Sequence, residues 1–199
     1  MHRLLNKYLF LLDVGGLLYI LIELAWRGWS HWTMFILGGI CFIYLGLINE
    51  VLPWSMPLWQ QILIGAAGIT VLEFCTGCIV NLWLGWGVWD YSGMPFNLGG
   101  RINLLYCFFW GIAAVAWFKK LYPRISGLIE KIPHLAGKII TWTLIIFMCC
   151  NIVVSCMALI RYDERGNDVK SDRARKTYMD EHYGDEKMQL IYPNAKMTD

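Results

Sequence analysis

Charge is what most of this sequence lacks. Only 16% of its 199 residues are charged. Residues 1–160 hold 9 Lys/Arg and 6 Asp/Glu, whereas residues 161–199 hold 8 and 9. So few charges exclude an ordinary water-exposed surface for residues 1–160 and leave 161–199 as a water-class tail. Catalytic motifs are missing too. There is no G-x-x-x-x-G-K-[ST] phosphate cradle, no G-x-S-x-G and no H-E-x-x-H. The histidines, His2, His31, His134 and His182, are scattered. These absences exclude an ATP motor of the usual kind and lead us to expect no enzyme, no catalytic residue, no cofactor and no metal. Basic patches interleaved with aromatics are also absent, which excludes nucleic acid as a partner.

What remains is apolar. A helix needs roughly 20 mostly apolar residues to cross a bilayer. Five runs qualify, at about 8–26, 32–49, 58–82, 102–118 and 138–160. They show no strand alternation, so they read as helices and not as a barrel. The expected fold class is an all-α integral membrane protein with about five transmembrane helices (residues 1–160), an irregular Trp/Gly-rich loop over 83–101 and a short soluble C-terminal tail (161–199). The implied location is a cell membrane, multi-pass, with the lipid bilayer as the first partner. Arg3 and Lys7 before the first run suggest a signal peptide. That run is long, contains Asp13 and lacks a small-residue cleavage site, so it reads as a retained span.

The tryptophans sit where a bilayer interface would hold them. Trp26, Trp29 and Trp32 fall in the first loop, Trp54 and Trp59 flank the second, and Trp83, Trp86 and Trp89 fall in the third. Trp117 and Trp142 lie near span ends, and Trp110 alone lies mid-span. The seven cysteines all precede residue 160. Cys75 and Cys78 form a lone C-x-x-C inside a span with no histidine near, which reads as packing and not as a metal or redox pair.

Five spans put the termini on opposite sides. Basic residues flank the two faces almost equally, seven on the N-terminal side and eight on the other. The first span tips the orientation toward N-terminus inside. The tail carries alternating charges with anchor points at Tyr178, Met179, His182 and Tyr183, then Met188, Leu190, Ile191 and Tyr192. A short helix around 170–183 that docks on the membrane domain is one expectation, and a solvated terminus the other.

The polar residues within the spans are the functional candidates. An acid at the centre of a transmembrane helix costs roughly 2.5–3.5 kcal/mol on insertion scales, so it usually faces a partner or a watery cavity. Asp13 and Glu23 lie toward the ends of the first span and are expected to approach the interfaces, Glu23 with Arg27 four residues on. Glu73 lies deep. With Gly77 and Asn81 it shares one helical face, narrow at Gly77. A structural carboxylate and a functional one fit this pattern equally. The loop that follows, WLGWGVWDYSGMPFNLGGRI, has five glycines and a proline among aromatics. Irregular backbone of this kind enters a membrane protein only where protein or water satisfies its polar groups. It is therefore either re-entrant or simply interfacial. Glu23, Glu73, Asn81, Asp90, Asn97 and Arg101 are the candidate intramembrane polar or transport-path residues. If the loop dips, Arg101 meets Glu73; otherwise it pairs with Asp90.

The stretch EFCTGCIVNLWLGWGVWDYSGMPFNLGGRI resembles the signature of the ABC-transporter type IV, or CmpB-like, membrane proteins: an acid, then W-D-Y, P-F-N and a glycine, then an apolar span. LIELAWRGWSHWTMFILGG, the INE at 48–50 and the YPN at 192–194 are similar to the same group. The resemblance implies a bacterial membrane permease. Since the phosphate cradle is missing, a separate ATPase subunit would have to couple to it, and residues 119–138 are the expected contact if the N-terminus is inside. One small chain encloses little pathway alone, so a homodimer through small-residue faces is a second expected partner. The competing reading is an accessory or sensory membrane protein whose tail binds a partner.

Overall fold

The structure is a computed structural model that describes residues 2–53, 55–83, 85–166 and 173–192. Helices α1 (His2–Arg27), α2 (Trp32–Val51) and α3 (Leu58–Gly77) lead into a π-helical turn, Cys78–Trp83. A long loop follows, with a two-stranded hairpin, β1 (Asn97–Leu98) and β2 (Ile102–Asn103). Then come α4 (Leu104–Ala116), a second π-helical turn (Trp117–Leu121), α5 (Tyr122–Lys131), α6 (His134–Gly166), α7 (Arg173–His182) and α8 (Asp185–Ile191). Among the described residues five segments are long and apolar enough to cross a membrane: Asn6–Trp26, Trp32–Val51, Leu58–Leu82, Leu104–Leu128 and Leu135–Gly166. The chain is a multi-pass membrane protein.

α1 and α2 form the tightest pair, because glycines on both helices, Gly15, Gly16, Gly38 and Gly39, let the backbones approach where a side chain would clash. The core lies between α1, α2, α3 and α4, around Leu37, Leu45, Ile69, Ala114 and Trp117. Trp117 is fully buried and its indole Nε1 donates to the Leu45 carbonyl at 3.3 Å. That corrects its reading as part of the interfacial belt; it is a core residue with its polar atom satisfied. At the N-terminal end of the bundle, Glu50 of α2 accepts hydrogen bonds from Lys7 and Tyr8 of α1, and Lys7 reaches the Tyr122 hydroxyl at 3.5 Å.

Residues 119–131, read from sequence as a loop, continue the fourth span as helix. Pro123 has no N–H to give to the helix ladder. The π turn before it absorbs the irregularity, with the Tyr122 N–H bonding the Trp117 carbonyl. The chain breaks only at Ile132 and Pro133 before α6 starts.

α6 has 33 residues, about 50 Å at 1.5 Å per residue, so it overreaches a hydrocarbon core of about 30 Å. Its last turns carry the tail. Arg161 grips Asp180 through two bonds, Nε to Oδ1 at 2.8 Å and Nη2 to Oδ2 at 2.9 Å. Arg165 adds bonds to Asp180 at 2.7 Å and Asp185 at 2.6 Å. Met179, Met188 and Tyr192 bury themselves on Ala158 and Leu159. The docked tail is thus the observed arrangement for residues 173–192; Pro193 and Asn194 of the YPN triplet lie outside the described residues.

Candidate functional site: a buried carboxylate under a folded-back loop

The loop after α3 does not lie flat across the end of the bundle. It returns along α3 in steps that follow the helix backwards. Asn81 Nδ2 donates to the Trp89 carbonyl at 3.0 Å. One turn deeper, a side chain added at Gly77 would sit 3.2 Å from the Trp89 ring and 3.1 Å from the Arg101 Cβ. One turn deeper again, the Tyr91 hydroxyl reaches Glu73 Oε1 at 3.3 Å. Glu73 to Asn81 is about 12 Å along a helix, so the loop covers the whole polar face. Gly77 is narrow because the loop and the root of α4 occupy its space.

Asparagines hold this backbone in place. Asn97 Nδ2 donates to the carbonyls of Met94 at 2.7 Å and Ser92 at 3.3 Å, and its Oδ1 accepts the Gly100 N–H at 3.0 Å. Asn103 Nδ2 donates to the Pro95 carbonyl at 2.6 Å, while its Oδ1 caps α4 by accepting the Leu105 N–H at 2.9 Å. The Tyr91 N–H bonds the Gly100 carbonyl at 2.7 Å. Asp90 closes the turn by accepting from the Ser92 N–H and hydroxyl at 2.8 and 2.9 Å. Gly100 has φ +71° and a Cβ there would stand 2.5 Å from Asp90 Oδ1, so both conformation and space require glycine. The polar groups that an irregular loop brings into an apolar domain are met by neighbouring side chains.

Glu73 is 3% exposed. Its second oxygen accepts the Trp110 indole N–H at 2.9 Å. Tyr19 stacks on Trp110 with ring centroids 5.8 Å apart, and Tyr106 stacks on Tyr91 at 4.7 Å. Glu23 accepts from the Ser30 hydroxyl at 2.6 Å. The Arg27 side chain lies outside the described residues. The centre is therefore an acid held by neutral donors and walled by aromatic rings.

Arg101 does not meet Glu73. Its stem passes Gly77, its Nη1 donates to the Gly99 carbonyl at 2.7 Å, and its Nε is buried without a hydrogen-bond partner. Among the described residues it makes no ion pair, with Asp90 or with Glu73. The physical reason is that the chain turns at Gly99 and Gly100, so the guanidinium folds onto its own hairpin. Of the six candidates, Glu73 forms the acid–aromatic centre, and Glu23 bonds Ser30 in the first loop. Asn81, Asp90 and Asn97 hold the loop, and Arg101 packs against its floor.

Three findings lay beyond the sequence reading. Trp110 is a direct partner of Glu73, and its one legible signal was being the sole tryptophan at mid-span. Asp13 is fully buried with both carboxylate oxygens lacking a hydrogen-bond partner, so it is packed between helices instead of reaching the surface. His31 is 1% exposed; it caps α2 by accepting the Thr33 N–H at 3.2 Å and touches the rings of Trp32, Trp86 and Tyr192. The C-x-x-C cysteines are free; Cys75 is exposed and Cys78 half-buried, so only Cys78 is placed to pack. Among the described residues no three His, Cys, Asp or Glu side chains converge as metal ligands would.

The residues of the folded-back loop are those of the W-D-Y and P-F-N signature, and residues 14–156, nearly the whole membrane domain, match the family model described as "Putative ABC-transporter type IV". The chain belongs to this family. It is a membrane protein of transporter type. No curated protein and no solved structure matches it. In this member of the type IV family the signature is the loop that covers the buried acid: Trp89 and Tyr91 face α3, while Asp90, Pro95 and Asn97 shape the backbone between them.

Proposed function

We propose that the chain is the membrane permease component of a transporter, driven by a separate ATPase subunit, with the Glu73 cluster on its path. The observation that carries this reading is Glu73 itself, buried and held by two neutral donors, Trp110 and Tyr91. An acid placed so has no fixed countercharge and is suited to exchange a proton or a cation. Tyr91 belongs to a loop, so one of the two donors can leave without moving a helix. The permease carries no catalytic site of its own, since the sequence lacks both the phosphate cradle and the hydrolytic motifs.

A second copy completes the pathway. The glycine faces expected to join two chains are occupied within one: Gly65 faces Ala114 and Leu45, and Gly68 faces Tyr44. The contact falls instead on α6, where Asn151 is exposed near mid-span and its amide bonds only back to the Phe147 carbonyl of its own helix. An amide both donates and accepts, so two copies match each other across a twofold axis.

The test is purification of the tagged chain from its native membrane in mild detergent. An ATPase should co-purify, and Glu73→Gln should keep that complex while changing its turnover. Recovery of a regulator or kinase without an ATPase would favour the accessory or sensory reading. Against that reading stands the tail, whose Asp180 and Asp185 are engaged by its own α6.

A further inference from the structure

Helix α5 is amphipathic and has few neighbours. Ile125 and Tyr122 turn toward the core. On the opposite side Lys120, Arg124 and Lys131 are exposed, spaced i, i+4 and i+11, which places them in one row. Lys119 just before the row and Lys138 at the start of α6 are exposed too. Glu130 is the sole acid among residues 119–138. Exposed apolar side chains accompany the bases along the chain: Leu128 on α5 at 59%, and Leu135 and Ile139 on α6 at 69% and 58%.

We propose that this row binds the phosphate headgroups of anionic phospholipids, at the bilayer face where the fourth span ends. Depth supports the assignment. From Leu104 to Lys120 is 16 residues, about 24 Å of helix, and α4 begins three residues after Arg101, whose stem packs at the level of Gly77. Lys120 and Arg124 therefore emerge where the hydrocarbon of about 30 Å gives way to headgroups, and Lys131 lies further out along α5. The mixed surface supports it too. Leucines interleaved with lysines suit an acyl–headgroup boundary, where long cationic side chains lie along apolar surface and lift their charge outward. A water-soluble protein partner would have to cover those leucines and exclude lipid from the end of a span. The row is distinct from the Glu73 cluster, so it stands or falls without the permease reading.

The experiment uses the full chain in mild detergent with equal amounts of phosphatidylglycerol and phosphatidylcholine, counting retained lipids by native mass spectrometry. Phosphatidylglycerol should be retained preferentially, and the preference should fall as salt rises. A polybasic contact is worth roughly fivefold per charge. Lys120→Gln with Arg124→Gln and Lys131→Gln should thus abolish the preference, while Lys120→Arg with Arg124→Lys and Lys131→Arg should retain it. Equal retention of the two lipids by the unaltered chain overturns the proposal. So does an unchanged preference in the glutamine variant. Loss of a co-purifying ATPase in that variant, with lipid preference intact, would assign the row to a protein instead.

Discussion

Trp110→Phe isolates what holds Glu73. The substitution keeps an aromatic ring against Tyr19 and removes the N–H that reaches Glu73 Oε2 at 2.9 Å. A hydrogen bond to a charged group is worth about 1.5–3 kcal/mol, and interhelical bonds within membranes tend to about 1–2 kcal/mol or less. The remaining donor, Tyr91, is longer at 3.3 Å and sits on a loop. We therefore expect Trp110→Phe to destabilise the domain by about 2 kcal/mol, the upper part of that range, because a buried carboxylate loses its shorter bond. Tyr91→Phe should cost about half as much. Glu73→Leu removes the acid, so the indole then has nothing to lose except its own unmet donor. The double variant, Glu73→Leu with Trp110→Phe, should cost less than the two singles together by about 1–2 kcal/mol.

Equilibrium unfolding of the purified chain in mixed micelles measures the cycle. Additivity within about 0.5 kcal/mol would refute the bond as a stabilising element. The parallel cycle, Glu73→Leu with Arg101→Gln, serves as contrast. Arg101 bonds to the Gly99 carbonyl and not to the acid, so these two changes should add. Strong coupling there with none at Trp110 would mean that the guanidinium, and not the indole, faces the carboxylate.

Other expectations follow from the same geometry. Asp180 is held down to about 2 chiefly by hydrogen bonds from Arg161, against an ordinary carboxylate value near 4; tail docking should be at full strength above about pH 4 and lost as pH falls through about 2. Asp180→Asn at neutral pH should weaken docking by about 1 kcal/mol and speed limited trypsin cleavage at Lys187, which is exposed but held in helix α8, whereas an unchanged digest would show the apolar anchors suffice. Gly100→Ala should lower thermal stability more than Gly93→Ala, since only the first has a Cβ clash and a left-handed backbone. The purified chain should hydrolyse no ATP, and vanadate-sensitive turnover by a preparation free of other chains would overturn this. Reporters fused at residues 5 and 195 should signal from opposite faces.

Most of the helical frame was legible because bilayer crossing imposes a length and a composition that five runs display plainly. The end of the fourth span was not. Lys119, Lys120 and Arg124 look like a loop to any count of charges, yet their exposed positions on a helix leave the backbone free to continue. The site was half legible. Glu73 announces itself as a carboxylate in an apolar run, and the glycines with Pro95 announce irregular backbone. Its partners do not, because indole and phenol groups are common at interfaces and neither Trp110 nor Tyr91 looks polar by residue type. Arg101 misled for the same reason in reverse: opposite charge suggested a pair, but the direction of a side chain after two left-handed glycines is a tertiary fact. Asp13 shows the remaining gap. Nearness to a span end suggests access to water, whereas burial depends on which helix lies alongside.

The tail and the loop meet at one end of the bundle, which bears on how the Glu73 cover is held. His31 caps α2 and contacts Trp86 of the loop at a centroid distance of 5.7 Å and Tyr192 of the tail at 5.2 Å. Trp32 also packs edge-on against Trp86, and belongs to the cluster that anchors α7 and α8. Rings in this arrangement contribute roughly 0.5–1.5 kcal/mol per pair beyond their buried area. The loop is thus braced from two directions: by Asn81, Asn97 and Asn103 on the membrane side, and by an aromatic stack shared with the tail on the outer side. Bracing on the membrane side is by hydrogen bonds, which are directional and expensive to leave broken in an apolar setting. Bracing on the outer side is by ring packing, which tolerates sliding. A displacement of the loop should therefore begin at Trp86 and the tail, and reach the Tyr91–Glu73 bond last.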